Sequence, residues 1–248
     1  MKELVRAQTC KIPFENISKL FYKKHLNLRH LIGFDLFLDG IEKYHFGGTC
    51  YSINFYLYQL LDWLGYDVRL CGADMAKPDV HIVNVVKIGN REYLVDAGYA
   101  ALFTEPVPLD LPDKYIVPLG RDQYVLQPRD PDNVSTMELY RQGVLKHGYR
   151  INPMPRKIDD FQQVISDSFK EDATFMNSLL LTRFIDDHFV VVHNLKMIKY
   201  AGSVINDYQA HTIGELASMI DQWFGIPEKL VYEVLKDLHF FKDAWTGE

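Results

Sequence analysis

The chain has 248 residues, 48% of them hydrophobic and 24% charged, with a formal net charge of -6. Such a composition supports a sizeable core, and the acidic balance excludes the basic footprint of a nucleic-acid binder. No run approaches the roughly 18 apolar residues of a membrane span, and the start, MKELVRAQTCKIPFENIS, lacks the apolar core of a secretory signal, so a cytoplasmic protein without membrane contact is expected.

The three cysteines, Cys10, Cys50 and Cys71, form no CxxC pair. That pattern argues against a disulfide framework or a cysteine-rich zinc site and permits one reactive thiol. From Ser18 to Gly65 the apolar periodicity is helical, ending in a helix from about Thr49 to Leu64. Its stripe is Ile53, Tyr56, Leu57, Leu60, Leu61 and Leu64, and Gly65 is its stop.

After Gly65 the period changes to two. Segments 66–72, 81–88 and 91–97 read as strands, and the prolines from Pro106 to Pro131 divide the next stretch into short strands and loops, as in a small barrel or curled antiparallel sheet. No helical crossovers separate these strands, which excludes a doubly wound sheet. Further strands are expected at 182–185, 188–193 and 195–200. A helix follows from Thr212, where Thr212 and Glu215 spell a capping box, and Pro227 opens a last helix reaching about His239.

The chemistry concentrates in two stretches. In 47-GGTC-50, Thr49 is the expected N-cap and Cys50 the first helical residue. A helix N-terminus favours thiolate through unpaired NH groups and the positive end of its dipole, the glycines leave room for a substrate, and the Cys50 NH can face an oxyanion. A cysteine nucleophile also needs a histidine and an acceptor that orients it. In 81-HIVNVVKIGNREYLVDAGY-99, a two-residue Gly89-Asn90 loop pairs Ile88 with Arg91, Lys87 with Glu92, Val85 with Leu94, Val83 with Asp96 and His81 with Gly98. This register places His81 and Asp96 on one face as diagonal neighbours, and a slip of one residue would separate them.

These residues resemble the arylamine N-acetyltransferase family. The likeness rests on 12-IPFENIS-18, 47-GGTCYSIN-54, 81-HIVNVV-86 and 94-LVDAGY-99, in the family's order, with a weaker continuation around Asn177 to Phe184. It implies an α+β fold of three parts: a helical bundle over 1–65, an antiparallel β-barrel over 66–172, and an α/β lid over 173–248. It further implies an acetyl-CoA co-substrate without a metal, and a small-molecule amine acceptor. Cys50 would be acetylated, His81 would be the base and Asp96 its orienter. Phe14 would lie near the acceptor pocket, and Gly47, Gly48, Thr49 and Gly98 complete the expected substrate-binding set.

The chain departs from the family pattern at Phe46, usually arginine, at Ser52, usually glutamate, and at Ala100, usually glycine. The stretch before Pro13 is also short, so much of the family's first helix is expected to be missing. Alternative readings are an amide synthase or another acyl transferase or hydrolase with the same triad, and a non-catalytic binding protein with an inherited cleft. GxxxxGK[ST], GxGxxG and HExxH motifs are absent. His188, His193 and the Asp186-Asp187 pair are read as turn and solvated face rather than metal ligands, and the Met and Phe residues of 160–180 as core or lid.

Overall fold

Alternation of period along the chain yields helices first, then a long antiparallel sheet, then a smaller sheet with two closing helices. The structure, a computed structural model, describes residues 1–101, 103–120, 122–185, 188–202 and 204–238. The helical part comprises α1 (Lys2–Lys11), α2 (Ile17–Leu26), α3 (Phe34–Tyr44) and α4 (Cys50–Trp63), with a two-residue strand β1 (Phe14–Glu15) after α1. A ten-residue helix precedes Pro13.

The larger sheet contains β2 (Asp67–Asp74), β3 (His81–Ile88), β4 (Arg91–Val95), β5 (Val107–Pro108), β6 (Tyr115–Leu119), β7 (Asp122–Leu126), β8 (Ser135–Arg141) and β9 (Val144–Pro155). Their order, β5-β4-β3-β2-β9-β8-β7-β6, curls into a nearly closed antiparallel barrel. Val83, Val85, Leu94, Tyr124, Met137 and Tyr149 fill its interior.

A 3-10 turn (Ile158–Phe161) leads into the short helices α5 (Gln162–Asp167) and α6 (Thr174–Asn177). The second sheet follows, with β10 (Leu180–Ile185), β11 (His188–His193), β12 (Lys196–Ala201) and β13 (Val204–Gln209), then α7 (Ile213–Phe224) and α8 (Glu228–Leu235). β1 supplies the fifth strand by pairing with β10, Phe14 opposite Thr182. The N-terminal segment is thus stitched into the C-terminal sheet. One core cluster draws Phe46 and Tyr51, Ile82, Phe161 and Phe169, and Leu216 and Phe224 from all parts of the chain.

Three local expectations change. The Gly89-Asn90 hairpin has the expected register from Ile88–Arg91 to Asn84–Val95, but the ladder stops there, so Val83–Asp96 and His81–Gly98 are not strand pairs. Lys87 does face Glu92, yet the Glu92 carboxylate bridges Arg69 and Arg129 instead. At α7, Thr212 Oγ1 accepts from the Glu215 NH at 3.1 Å, whereas the Glu215 carboxylate accepts from the His211 NH rather than from that of Thr212. The Asp186-Asp187 pair, His239 and the end of the third segment lie outside the described residues.

Candidate active site

Strand β3 is buried on both faces for most of its length. Ile82 and Val86 turn toward α4 and its neighbours, while Val83 and Val85 enter the barrel. His81, in phase with Val83, packs its ring 4.8 Å from that of Tyr149 and 5.7 Å from that of Tyr99. The chain before it is held in place: Tyr51 donates to the Asp79 carbonyl at 2.9 Å, the Asp79 NH donates to Asp74 at 2.9 Å, and Arg156 pairs with the Asp79 carboxylate at 3.1 Å.

Cys50, His81 and Asp96 come together at the N-terminus of α4, at 7%, 2% and 0% exposure, so bulk water does little to screen the charges of His81 and Asp96. His81 Nε2 lies 2.8 Å from Asp96 Oδ2, leaving Nδ1 for the Cys50 side. The Cys50 thiol also points toward the Val80 carbonyl, with Sγ at 3.9 Å. Burial works against a charged His81, but the Asp96 charge and hydrogen bond, together with the hydrogen bond and charge of Cys50, more than offset it and push the imidazole up to about 10. Burial likewise opposes a charged Asp96; the His81 cation and hydrogen bonds from His81, Asn54 and Tyr149 prevail and hold it below the usual carboxylate range.

Asp96 leaves the ladder just beyond β4, and side chains on other elements fix it there. Asn54 Nδ2 donates to Oδ1 at 2.8 Å and the Gly98 NH to the same oxygen at 3.1 Å; the Tyr149 hydroxyl donates to Oδ2 at 2.7 Å. Asn54, one turn after Cys50, also accepts from the NH groups of Ala97 and Gly98 at 3.0 Å and donates to the Ile82 carbonyl at 2.6 Å. Neither Asn54, the last residue of 47-GGTCYSIN-54, nor Tyr149 carries an expected role. The i, i+4 spacing of Asn54 from Cys50 was available as a signal; nothing in the pattern around Tyr149 marks it.

The glycines serve the protein before any substrate. A Cβ on Gly47 would lie 1.8 Å from the Pro13 carbonyl oxygen, and one on Gly98 would lie 2.7 Å from Cys50 Cα. Gly48 has φ +141°, and its Cβ would meet Ser52 Oγ at 2.2 Å. Thr49 holds the N-cap position with extended backbone, but its side chain accepts no capping hydrogen bond. Phe14 sits in the core cluster of Ile53 and Leu57, its ring edge against Phe175; Gly47, Gly48 and Thr49 line a cavity beside the turn.

Phe46 and Ser52 show how the departures are accommodated. Phe46 is buried against Phe21, Tyr22 and Tyr44. The buried Glu15 carboxylate accepts from the NH groups of Ser18 at 2.8 Å and Gly47 at 3.1 Å, and burial raises its pKa. Backbone donors and an aromatic cluster thus surround Phe46 and the Glu15 carboxylate. Ser52 Oγ turns back to the Thr49 carbonyl at 3.1 Å.

The model of a family described as N-acetyltransferase matches residues 1–231. The chain belongs to the N-acetyltransferase family. Among relatives, arylamine N-acetyltransferase 1 of Rattus norvegicus is 25% identical over 193 residues, covering 66% of this chain and 63% of the rat protein. Proansamycin X synthase of Amycolatopsis mediterranei is 26% identical over 180 residues, covering 68% and 66%. Each of these two matches therefore spans less than two thirds of the relative's own length. In fold, the chain is similar to the arylamine N-acetyltransferase of Mycobacterium marinum solved in complex with CoA, with a TM-score of 0.79 and 18% identity over 96% of this chain and 92% of that one.

Proposed function

We propose that this family member is an acyltransferase that moves an acetyl group from acetyl-CoA to an arylamine, arylhydroxylamine or arylhydrazine through an acetyl-Cys50 intermediate. The observation that carries the reading is the buried His81–Asp96 contact of 2.8 Å at the N-terminus of the Cys50 helix. A histidine whose proton is held to about 10 takes the Cys50 proton and leaves a thiolate at the positive end of α4.

In the first half-reaction, Cys50 Sγ attacks the donor thioester carbonyl, the first-turn NH of Cys50 faces the developing oxyanion, and His81 returns its proton to the departing CoA sulfur. In the second, the acceptor nitrogen attacks the acetyl-Cys50 carbonyl, His81 takes the proton from that nitrogen, and the Cys50 thiolate leaves. Asp96 remains ionised throughout and keeps the ring oriented. The residues suit an acyl donor without a metal: the reaction needs a nucleophile, a base and NH donors, all of which this chain supplies.

The likeness to a synthase as well as to acetyltransferases supports a second reading, an amide synthase using the same three residues on a different donor. Free thiols at Cys10, Cys50 and Cys71 fit a reducing compartment, for which the cytoplasm is the expected place. No described helix is long and apolar enough to cross a membrane.

Initial rates with acetyl-CoA and an arylamine such as 4-anisidine, varied together, test the primary reading. Parallel double-reciprocal lines are expected, with activity abolished in Cys50→Ala. Intersecting lines, or turnover that survives Cys50→Ala, would remove the covalent intermediate from the account.

A further inference from the structure

Beside the Cys50 turn lies a cavity of about 50 Å³ whose wall includes Lys19, Ser168, Phe169, Phe46, Gly48 and Thr49. By the volume a single water requires, this is room for a few waters or for one group the size of a carboxylate. Lys19 reaches it from α2 with only 8% exposure. Its Nζ donates to Ser168 Oγ at 2.6 Å and stands 4.4 Å over the Phe169 ring.

Among the described residues, Lys19 has no carboxylate partner within ion-pair distance. A buried ammonium with no paired carboxylate among the described residues is costly, and the cost shows: burial pushes Lys19 down to about 7, with the charge of Cys50 opposing the effect and Lys23 adding to it. Ser52, where the resembled motif has glutamate, lines this wall without a carboxylate, its hydroxyl donated to the Thr49 carbonyl. The Thr49 side chain, which caps no NH of its own helix, is a further polar group on the same wall.

We propose that this cavity receives a carboxylate carried by a substrate, with Lys19 as its counter-ion and the Phe46 and Phe169 rings packing on the adjoining apolar body. The proposal rests on the transferase reading and specifies its substrate class. The acceptor is the favoured carrier. Acylation removes the Cys50 charge that would otherwise favour the Lys19 ammonium, just when the second substrate must bind.

The test is equilibrium binding by calorimetry to the Cys50→Ala protein, whose residue 50 is uncharged. Two pairs of near-isosteres are compared: 4-aminobenzoate with 4-aminobenzamide, and succinyl-CoA with butyryl-CoA. A charge-assisted contact predicts that the anionic member of one pair binds about tenfold tighter or more. Adding Lys19→Met should erase that preference, and adding Lys19→Arg should restore most of it.

A preference confined to the first pair places the carboxylate on the acceptor; one confined to the second places it on the acyl group. The proposal is overturned if neither anion is preferred by the protein that retains Lys19, a result that needs no lysine variant to fold, or if the preference persists in Lys19→Met. Failure of wild-type protein to form acyl-Cys50 would instead sink the transferase reading and leave this binding comparison intact.

Discussion

Asn54 holds Asp96 from one turn along the Cys50 helix, donating to its Oδ1 at 2.8 Å while accepting from the Ala97 and Gly98 NH groups at 3.0 Å. One carboxamide thereby ties the Asp96 turn to α4 and sets where His81 can stand relative to Cys50. Replacing Asn54 by Ala strands the buried Ala97 NH, leaves the Gly98 NH only its bond to Asp96, and removes the bonds to Asp96 and to the Ile82 carbonyl. A loss of about 2–5 kcal/mol in urea unfolding is expected, with acyl transfer reduced beyond what the unfolded fraction explains. Asn54→Asp should be worse, because a second carboxylate would face Asp96 across the same short contact. Full activity in either variant would remove Asn54 from the positioning scheme.

The His81–Asp96 pair makes stability depend on pH in a defined direction. His81 rises from 6.5 to about 10 in the folded protein, so its contribution is complete below 6.5 and is lost as pH climbs through about 10. Asp96 is lowered from 3.8, so its contribution is present above 3.8 and is lost as pH falls through its lower folded value. Thermal unfolding between pH 6 and 10 should show an alkaline decline in the wild-type protein that Asp96→Asn flattens. An unchanged slope in that variant would mean that Asp96 does not hold the His81 proton in the folded state.

The missing side chain of Gly98, one of the expected substrate-binding residues, lets the Asp96 turn press against α4. The Cβ of Gly98→Ala would fall 2.7 Å from Cys50 Cα and 2.8 Å from Asn54 Nδ2, and backbone on one side leaves little that can yield. Overpacking of this kind typically costs about 1–3 kcal/mol. Chemical denaturation should register that loss together with lower activity, and a neutral substitution would show that the turn has slack.

The helix of Cys50 and the hairpin of His81 were legible because each carries a strong local signal: an apolar stripe of period 3.6 with a glycine stop, and two strands around Gly89-Asn90. The His81–Asp96 contact was reached through a register that is right as far as Asn84–Val95. The contact itself depends on Asp96 leaving the strand, and long-range bonds from Asn54 and Tyr149 hold it there. Those bonds join residues 42 and 53 positions apart, a separation that no local pattern encodes. β13 went unread for a different reason: all six residues of Val204–Gln209 are exposed on an edge strand, so burial imposes no alternation on them. The close approaches of the glycines to Pro13, Ser52 and Cys50 depend on long-range packing that the GGTC and DAGY strings do not encode.

The central claim is that Cys50, activated by His81, carries the acyl group between the two substrates. Intact-mass measurement and peptide mapping after brief incubation with acetyl-CoA test it most directly. The account predicts one acetyl group, located on Cys50, absent in Cys50→Ala and acquired far more slowly in His81→Ala. Acetylation at another residue, or none with acetyl-CoA or with longer acyl-CoA donors, would contradict it.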